Sequence, residues 1–316
     1  MKSYCILCGN ELTEDEFLAK DFISGVPGEF RYCRCSVCRS YIQTPVPSQE
    51  FLTSCYELHT LHYQKPVKER DFCIFSRPIV SIVRHLWRKL ERKHPIMPLV
   101  SSVPATPPPA KLLEIGCGYG QYLNERKMQG YDVTGVELNE ESCRCAQECH
   151  GLTLINDLVE NLVFPENSFD IAVANMVLEH LRDPRKILER LYEWLKKDGE
   201  LIISVPTPEG FAFERFGKLC YVIHPPYHLS LFTLEGIRCL ADGLFEVSEY
   251  QYQFIENDLC RSAVFAKSVE PTLYNRFFAF TNRFPLLRLM VRFYIYKMVQ
   301  KGGKWSRISV RLKCVK

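Results

Sequence analysis

The sequence predicts an α/β protein: a parallel β-sheet with helices on both faces, preceded by a small cysteine-rich unit and followed by a basic extension. Three observations carry this. Between residues 110 and 268, strand-like and helix-like segments alternate at the spacing of right-handed crossovers. The first fifty residues hold two CxxC pairs. From Pro271 to Lys316 there are eleven Lys or Arg and no Asp or Glu, which leaves the preceding 270 residues at a net charge of −8. With 47% hydrophobic and 24% charged residues in 316, the chain has enough apolar content for a core, which excludes wholesale disorder.

The amino-terminal unit, residues 1–50, contains Cys5-Ile-Leu-Cys8-Gly9 and Cys35-Ser-Val-Cys38, with 26 residues between Cys8 and Cys35. Each CxxC forms a tight turn that aims two thiolates at one ion, and four thiolates close a tetrahedral zinc shell. A unit of this size buries little core alone, so a metal staple is physically sensible. The expectation is a zinc ribbon with ligands Cys5, Cys8, Cys35 and Cys38. Cys33 is an alternative to Cys35, but only the Cys35/Cys38 pair keeps the CxxC geometry. Four protein ligands leave no open position, so this zinc is structural. The fifteen cysteines are an odd number, and those elsewhere sit in apolar contexts or on one predicted helix (Cys143, Cys145, Cys149), which argues against a disulfide framework.

Residues 51–109 read as a helical connector and linker. Ile79, Val80, Val83, Leu86, Trp87 and Leu90 follow helical spacing, with Arg84, Arg88 and Lys89 on the other side. Val103-Pro-Ala-Thr-Pro-Pro-Pro109 is stiff and extended. Strands are then expected at Lys111–Ile115, Tyr131–Val136, Leu152–Ile155, Phe169–Ala174 and Glu200–Val205. Helices are expected near 120–129, 140–149 and 184–196. Leu244–Phe254 and Cys260–Lys267 read as a terminal pair of strands.

The segment Leu112-Leu-Glu-Ile-Gly-Cys-Gly-Tyr-Gly120 is strand, glycine turn, then helix. It lacks the glycine at position 121 that a dinucleotide fingerprint needs, because Gln121 stands there, and it lacks a P-loop Lys. Its pattern is E-x-G-x-G-x-G, from Glu114 through Gly116, Gly118 and Gly120. Glu137 follows Gly116 by 21 residues at the end of the second strand, where an acid accepts hydrogen bonds from ribose hydroxyls. A glycine loop, a ribose acid and no phosphate grip point to a nucleoside without pyrophosphate.

These segments, with VTGVELNE, NDLVENLVFPENSFDIAVANMVLEHLRDP and LKKDGELIISVPTP, resemble the class I S-adenosylmethionine-dependent methyltransferases. The Cys-rich start, PVPS and HLSLFT resemble a bacterial subset with an amino-terminal zinc ribbon, acting on sugars, glycans, lipid-linked intermediates or secondary metabolites. The resemblance implies a Rossmann-like, seven-stranded methyltransferase sheet whose last strand is antiparallel, over residues 110–268. It implies that Gly116, Gly118 and Gly120 line the methionine and ribose part of the cofactor and that Glu137 binds the ribose diol. It also places Asp157 at the adenine amino group, Leu158 beside the ring, and Asn175 near the sulfonium.

A sulfonium methyl needs alignment and a deprotonated acceptor. His228 in the loop after the fifth strand is the first candidate base, His224 the second and His180 the third, since histidine titrates near neutrality. His224-Pro-Pro-Tyr227 is not the amine-methyltransferase motif, which belongs at Asn175-Met-Val-Leu178. The acceptor expected is a small molecule or glycan. Residues 269–316, with nine aromatics after Pro271, read as a helical extension that packs on the core or rests on an anionic membrane surface; nucleic acid is the third partner. An RNA methyltransferase and a non-catalytic zinc-ribbon interaction protein are the competing functions. The start, MKSYCILCGNELTEDE, lacks an apolar signal core, which predicts a cytoplasmic protein, peripheral at the membrane if the extension binds it.

Overall fold

The computed structural model describes residues 3–58, 104–253, 255–281, 284–300 and 303–316. The helix expected at Ile79–Leu90 lies outside them. The main sheet is built from β4 (Lys111–Ile115), β5 (Asp132–Val136), β6 (Phe169–Asn175), β7 (Leu195–Pro206), β9 (Phe245–Gln253) and β10 (Arg307–Cys314), in the order β5-β4-β6-β7-β10-β9. β4, β5, β6 and β7 are parallel, and β10 runs antiparallel to both β7 and β9. The parallel strands read as continuous apolar runs because helices cover both faces. Leu113, Ile115, Ala172, Leu201 and Ile203 point to one side, and Leu112, Ile171, Val173 and Ile202 to the other.

The crossovers are α2 (Gln121–Met128), α3 (Glu140–His150) and α4 (Pro184–Trp194). Asn139 caps α3 through the Ser142 N–H, and Asp183 caps α4 through the Lys186 N–H, with Pro184 opening the helix. Among the described residues the sheet has six strands, where seven were expected. Leu152–Ile155 lies beside β5, but it is held there only by a single parallel bridge, Ile155 to Val136.

Two further expectations are corrected. Cys260–Lys267 is not a strand: it lies inside α7 (Glu256–Val269), whose buried Cys260, Ala263 and Ala266 recur every third residue. The sheet's antiparallel partner comes instead from β10, at the end of the basic extension, so the domain boundary at 268 does not hold. Helices α8 (Leu273–Thr281) and α9 (Pro285–Gln300) form an insertion between α7 and β10. Asp258, with no solvent exposure, receives Arg307 through two bonds of 2.9 and 2.8 Å and the Ser306 hydroxyl at 2.7 Å, pinning α7 to the start of β10.

The amino-terminal unit forms a second sheet from β1 (Leu12–Ala19), β2 (Phe30–Cys35) and β3 (Tyr41–Gln43). Its fourth strand is β8 (Ser230–Leu231), which follows β7 by a loop; Ile42 pairs with Ser230 and Tyr41 with Leu231. The unit therefore shares a sheet with the main body rather than standing apart. Helix α1 (Gln49–Leu58) leads away from it.

Because β10 lies between β7 and β9, a chain truncated before Arg307 is expected to be insoluble on expression. Asp258→Ala in the full chain is expected to lower unfolding stability by about 3–5 kcal/mol, since it leaves Arg307 without its buried partner. Urea denaturation followed by circular dichroism checks the second value.

Candidate active site

The carboxyl edge of the parallel strands carries the glycine loop. Gly116, Gly118 and Gly120 all have positive φ (65°, 54° and 71°), which side chains other than glycine adopt at a cost. The three differ in surroundings. A Cβ on Gly116 would stand 2.5 Å from Val177 Cγ2, and one on Gly120 would stand 2.9 Å from Leu152 Cδ1. A Cβ on Gly118 would meet nothing within 4 Å. Packing against the short, branched Val177 thus forbids a side chain at Gly116, the flexible end of Leu152 is the nearest obstacle at Gly120, and Gly118 faces open space.

Glu137, buried at the end of β5, closes that space from below. Its two carboxylate oxygens accept the N–H groups of Gly118 and Asn139, both at 2.8 Å. Burial pushes its carboxyl above the ordinary range, while those two N–H groups pull it back. Each oxygen keeps a further lone pair, so the carboxylate can take the hydroxyls of a ribose. Glu114 on β4 is also buried, and one oxygen has no hydrogen-bond partner among the described residues. Burial first, then the charge of Glu137, pushes its pKa well up, with Arg126 opposing. The open space at Gly118 and the Glu137 carboxylate together fit S-adenosylmethionine.

Asp157 and Leu158 lie beside this loop on the segment after Ile155. Asp157 Oδ1 accepts the Leu158 N–H and the Asn161 amide, both at 2.7 Å, and so shapes the turn it sits in. Asn175 is exposed at the end of β6, and Met176 after it has a φ of 58°. A non-glycine residue in the left-handed region at this edge is strain that the Met176 N–H bond to Ser204 O, 2.8 Å, helps to hold.

The three candidate histidines come together. The His180 and His228 rings are 4.8 Å apart between centroids, and His224 and His228 are 5.3 Å apart. His180 ends a short 3-10 turn, Leu178–His180, just beyond β6. His224, at φ 39°, is part-exposed, while His228 is buried. Sequence reasoning did not foresee the residues that surround them. Tyr56 of α1 hydrogen-bonds His180 Nδ1 at 3.0 Å, the Ser24 hydroxyl lies 3.4 Å from His224 Nε2, and the Tyr32 hydroxyl donates to His228 O at 2.7 Å. His228 Nδ1 bonds Val222 O at 2.7 Å, and Glu179 Oε1 lies 4.0 Å from His228 Nε2. Burial lowers the His180 pKa to about 4 and that of His228 well below its usual value. Burial raises Glu179 to about 8. All of these contacts with the amino-terminal unit span more than a hundred residues of sequence.

Cys5, Cys8, Cys35 and Cys38 converge, with Sγ–Sγ distances of 3.7 Å for Cys5–Cys38 and 3.4 Å for Cys8–Cys35. Four thiolates about 2.3 Å from a tetrahedral zinc stand about 3.8 Å apart, so the donor set fits that ion. The two turns match: Gly9 and Arg39, each following its CxxC, both take positive φ and return an N–H to the carbonyl of Cys5 and Cys35. Cys33 points away from the cluster, with its thiol 3.6 Å from Glu16 Oε2.

Residues 86–244, half of the chain, match the methyltransferase domain family, and the chain belongs to that family. It is 26% identical over 210 residues to the malonyl-[acyl-carrier protein] O-methyltransferase of Halalkalibacterium halodurans, covering 61% of this chain and 76% of that protein. It is 33% identical over 104 residues to a ubiquinone biosynthesis O-methyltransferase of Actinobacillus pleuropneumoniae, covering 30% of this chain and 44% of that one. It is 30% identical over 104 residues to an uncharacterised protein of Methanocaldococcus jannaschii, covering 33% of this chain and 48% of the other. The chain thus spans about half the length of the last two. Among solved structures, an S-adenosylmethionine-dependent methyltransferase from Mesorhizobium loti has a TM-score of 0.44 at 15% identity, over 72% of this chain and 96% of that one. Geranyl diphosphate C-methyltransferase from Streptomyces coelicolor has 0.47 at 11% identity, over 78% and 86%. Likeness at this level says nothing about the acceptor.

The sorting of the glycines predicts opposite outcomes for two substitutions. Gly116→Ala is expected to lower the melting temperature clearly, because the new methyl group collides with Val177. Gly118→Ala is expected to cost only about 1 kcal/mol from its φ yet to weaken S-adenosylmethionine binding. Thermal melts and calorimetric titration of the two proteins side by side check this.

Proposed function

We propose that this protein transfers the methyl group of S-adenosylmethionine to a hydroxyl oxygen of a small-molecule, sugar, glycan or lipid-linked acceptor. One observation carries the reading: a glycine loop backed by the buried Glu137 and a cluster of three histidines share the carboxyl edge of one sheet. When bound, S-adenosylmethionine supplies an activated sulfonium methyl group. The chain's own residues do the rest. Gly116, Gly118, Gly120 and Glu137 hold the nucleoside and methionine parts, with Glu114 buttressing the loop. Asp157 and Leu158 border the adenine, and Asn175 borders the reacting edge. One histidine of the cluster His228, His224 and His180 receives the proton of the acceptor hydroxyl, a contribution of about 10²–10⁴-fold. Burial keeps His180 and His228 in the neutral form at neutral pH while lowering their basicity.

Zinc on Cys5, Cys8, Cys35 and Cys38 is proposed as structural, in the manner of the zinc-ribbon subset, because the cluster closes on itself. Among the described residues no helix is long and apolar enough to cross a membrane. A peripheral contact of this otherwise cytoplasmic protein is proposed at α8 and α9. Leu273, Phe277, Phe280, Phe284, Met290 and Phe293 are exposed there, beside the exposed cations Arg276 and Lys297, and no acid lies between 271 and 316. Apolar side chains among cations suit an anionic lipid surface, where each basic residue adds about 1 kcal/mol.

Calorimetric titration with S-adenosylmethionine and S-adenosylhomocysteine tests the central reading. Binding is expected, with a loss of about 10–100-fold in Glu137→Ala, the scale of hydrogen bonds to a charged group. No binding by folded protein would overturn it. Binding justifies an acceptor screen that starts from nucleotide sugars and glycans. In a separate flotation assay, Phe277→Ser/Phe293→Ser is expected to release the protein from vesicles containing phosphatidylserine; equal flotation of both proteins would refute the lipid contact.

A further inference from the structure

Between the histidines lies a group that methyl transfer as described does not use. Glu179 has no solvent exposure, and among the described residues neither of its carboxylate oxygens has a hydrogen-bond partner. Whether ionised or neutral, oxygens taken out of water without a partner are costly, by about 1–3 kcal/mol or more. A buried polar group left in this condition marks a place where something else binds.

The neighbours of Glu179 identify the missing partner. One ligand atom from each of Glu179, His180 and His228 lies within 4.8 Å of the other two. Both imidazoles are already held at Nδ1, by Val222 O for His228 and by the Tyr56 hydroxyl for His180. For His228 that is the outer-shell arrangement of a metal-binding histidine, the carbonyl setting the tautomer and leaving Nε2 to ligate, while the Tyr56 hydroxyl orients the His180 ring. The backbone is fixed as well. Leu229 N–H donates to Glu179 O at 2.6 Å, and Tyr32 donates to His228 O at 2.7 Å, so the loop bearing His228 is clamped to the turn bearing Glu179 and His180.

We propose that Glu179, His180 and His228 form a second metal site, distinct from the four-cysteine cluster, which binds a divalent transition ion such as zinc and presents an open position to the acceptor. Two imidazoles and a carboxylate are the donor set of an open zinc site, unlike the closed four-thiolate set. Ligand atoms about 2.1 Å from an ion stand about 3.4 Å apart, so the three side chains need to close by about 1 Å on binding.

The inference rests on the methyltransferase reading and refines its chemistry. The acceptor hydroxyl oxygen coordinates the ion, which lowers the pKa of its O–H. The O–H bond breaks and its proton passes to His224, which is part-exposed and is not a ligand. The oxygen then forms a bond to the methyl carbon as the carbon–sulfur bond breaks, and the electron pair stays on sulfur as a thioether. On this account His180 and His228 hold the ion, and His224 is the base.

Metal content of the full-length protein decides the matter. After loading with cobalt and exhaustive dialysis, about two ions per chain are expected in the wild type and about one in Glu179→Gln and in His228→Gln. The intense thiolate-to-cobalt absorption of the four-cysteine site should remain in both variants, while the weaker bands of the nitrogen–oxygen site disappear. One ion per chain in the wild type, or two in Glu179→Gln, would overturn the proposal. S-adenosylmethionine titration of the same samples separates the two failures. Normal cofactor binding with a single, thiolate-bound cobalt removes the second site alone, and two cobalt ions without cofactor binding remove the methyltransferase reading alone. Unchanged cofactor affinity in Glu179→Gln also shows that the variant is folded.

Discussion

The seam between β3 and β8 is the constraint on which the active edge depends. Ile42 and Tyr41 pair with Ser230 and Leu231, and Gln43 N–H donates to Leu229 O at 2.9 Å. Just beyond, Thr233 Oγ1 donates to Cys38 O, and Ser40 Oγ bonds both the Thr233 hydroxyl and its N–H. Ser40, Gln43, Ser230 and Thr233 are all buried, so these bonds exchange with no solvent, and breaking one leaves a stranded partner. The segment between β7 and β8, which carries His224 and His228, would otherwise be a surface loop free to choose its path. The seam fixes its far end, and Tyr32 and Ser24 fix its middle. A short strand of two residues is enough because it is embedded in a polar network rather than left as an edge.

The other end of the site is set by packing in the main sheet. Gly116 lies so close to Val177 that the residue after Met176 and the glycine loop cannot move independently. This ties the turn holding Glu179 and His180 to the loop that fits the nucleoside. Behind them, Gln253 Nε2 donates to the hydroxyls of both Ser204 and Ser309, bridging β9, β7 and β10 inside an otherwise apolar sheet. Ser204 O also accepts the Met176 N–H, so one residue of β7 holds both the sheet's polar centre and the strained turn at its edge.

What could be read from sequence, and what could not, follows the range of the interactions. Strands β4, β6 and the second half of β7 announce themselves because strands buried on both faces are nearly contiguous apolar runs. The glycine loop and Glu137 are legible because their geometry is local, within one strand–turn–helix–strand unit. The end of the chain misleads because its cations and aromatics read as a helical extension throughout, with no sign of the strand β10. Its acidic partners lie far upstream: Arg307 meets Asp258, Arg311 meets Glu200 at 3.4 Å and Glu249 at 3.6 Å, and Lys304 meets Glu209 at 3.0 Å. With Arg311 paired, β10 is buried on both faces from Ile308 to Leu312, as a strand between two neighbours under covering layers should be. The environment of the histidines was illegible for the same reason. Tyr56 is 124 residues from His180, and Tyr32 is 196 from His228, and no pattern in either neighbourhood points to the other.

The position of the four-cysteine cluster gives a physical reason for an amino-terminal unit on a methyltransferase. Cys38 O accepts the Thr233 hydroxyl, and that same hydroxyl caps α6 (Leu234–Ala241) through the Gly236 N–H at 2.9 Å. A Cβ on Gly236 would stand 2.2 Å from Ser40 Oγ, so the second cysteine turn seats directly on the first turn of that helix. Ordering these turns costs about 1–2 kcal/mol of backbone entropy per residue, more than the small apolar core of such a unit can offset. An ion bound by four thiolates would offset it and make the turns rigid. Because the rigid turns end on Thr233, and the histidine loop ends there too, rigidity at the cysteines is transmitted through two hydrogen bonds to the place where the acceptor must be held. A loop fixed at one end by β7 and at the other by the seam and the second cysteine turn can present its histidines in a single arrangement, which a transfer that depends on alignment requires.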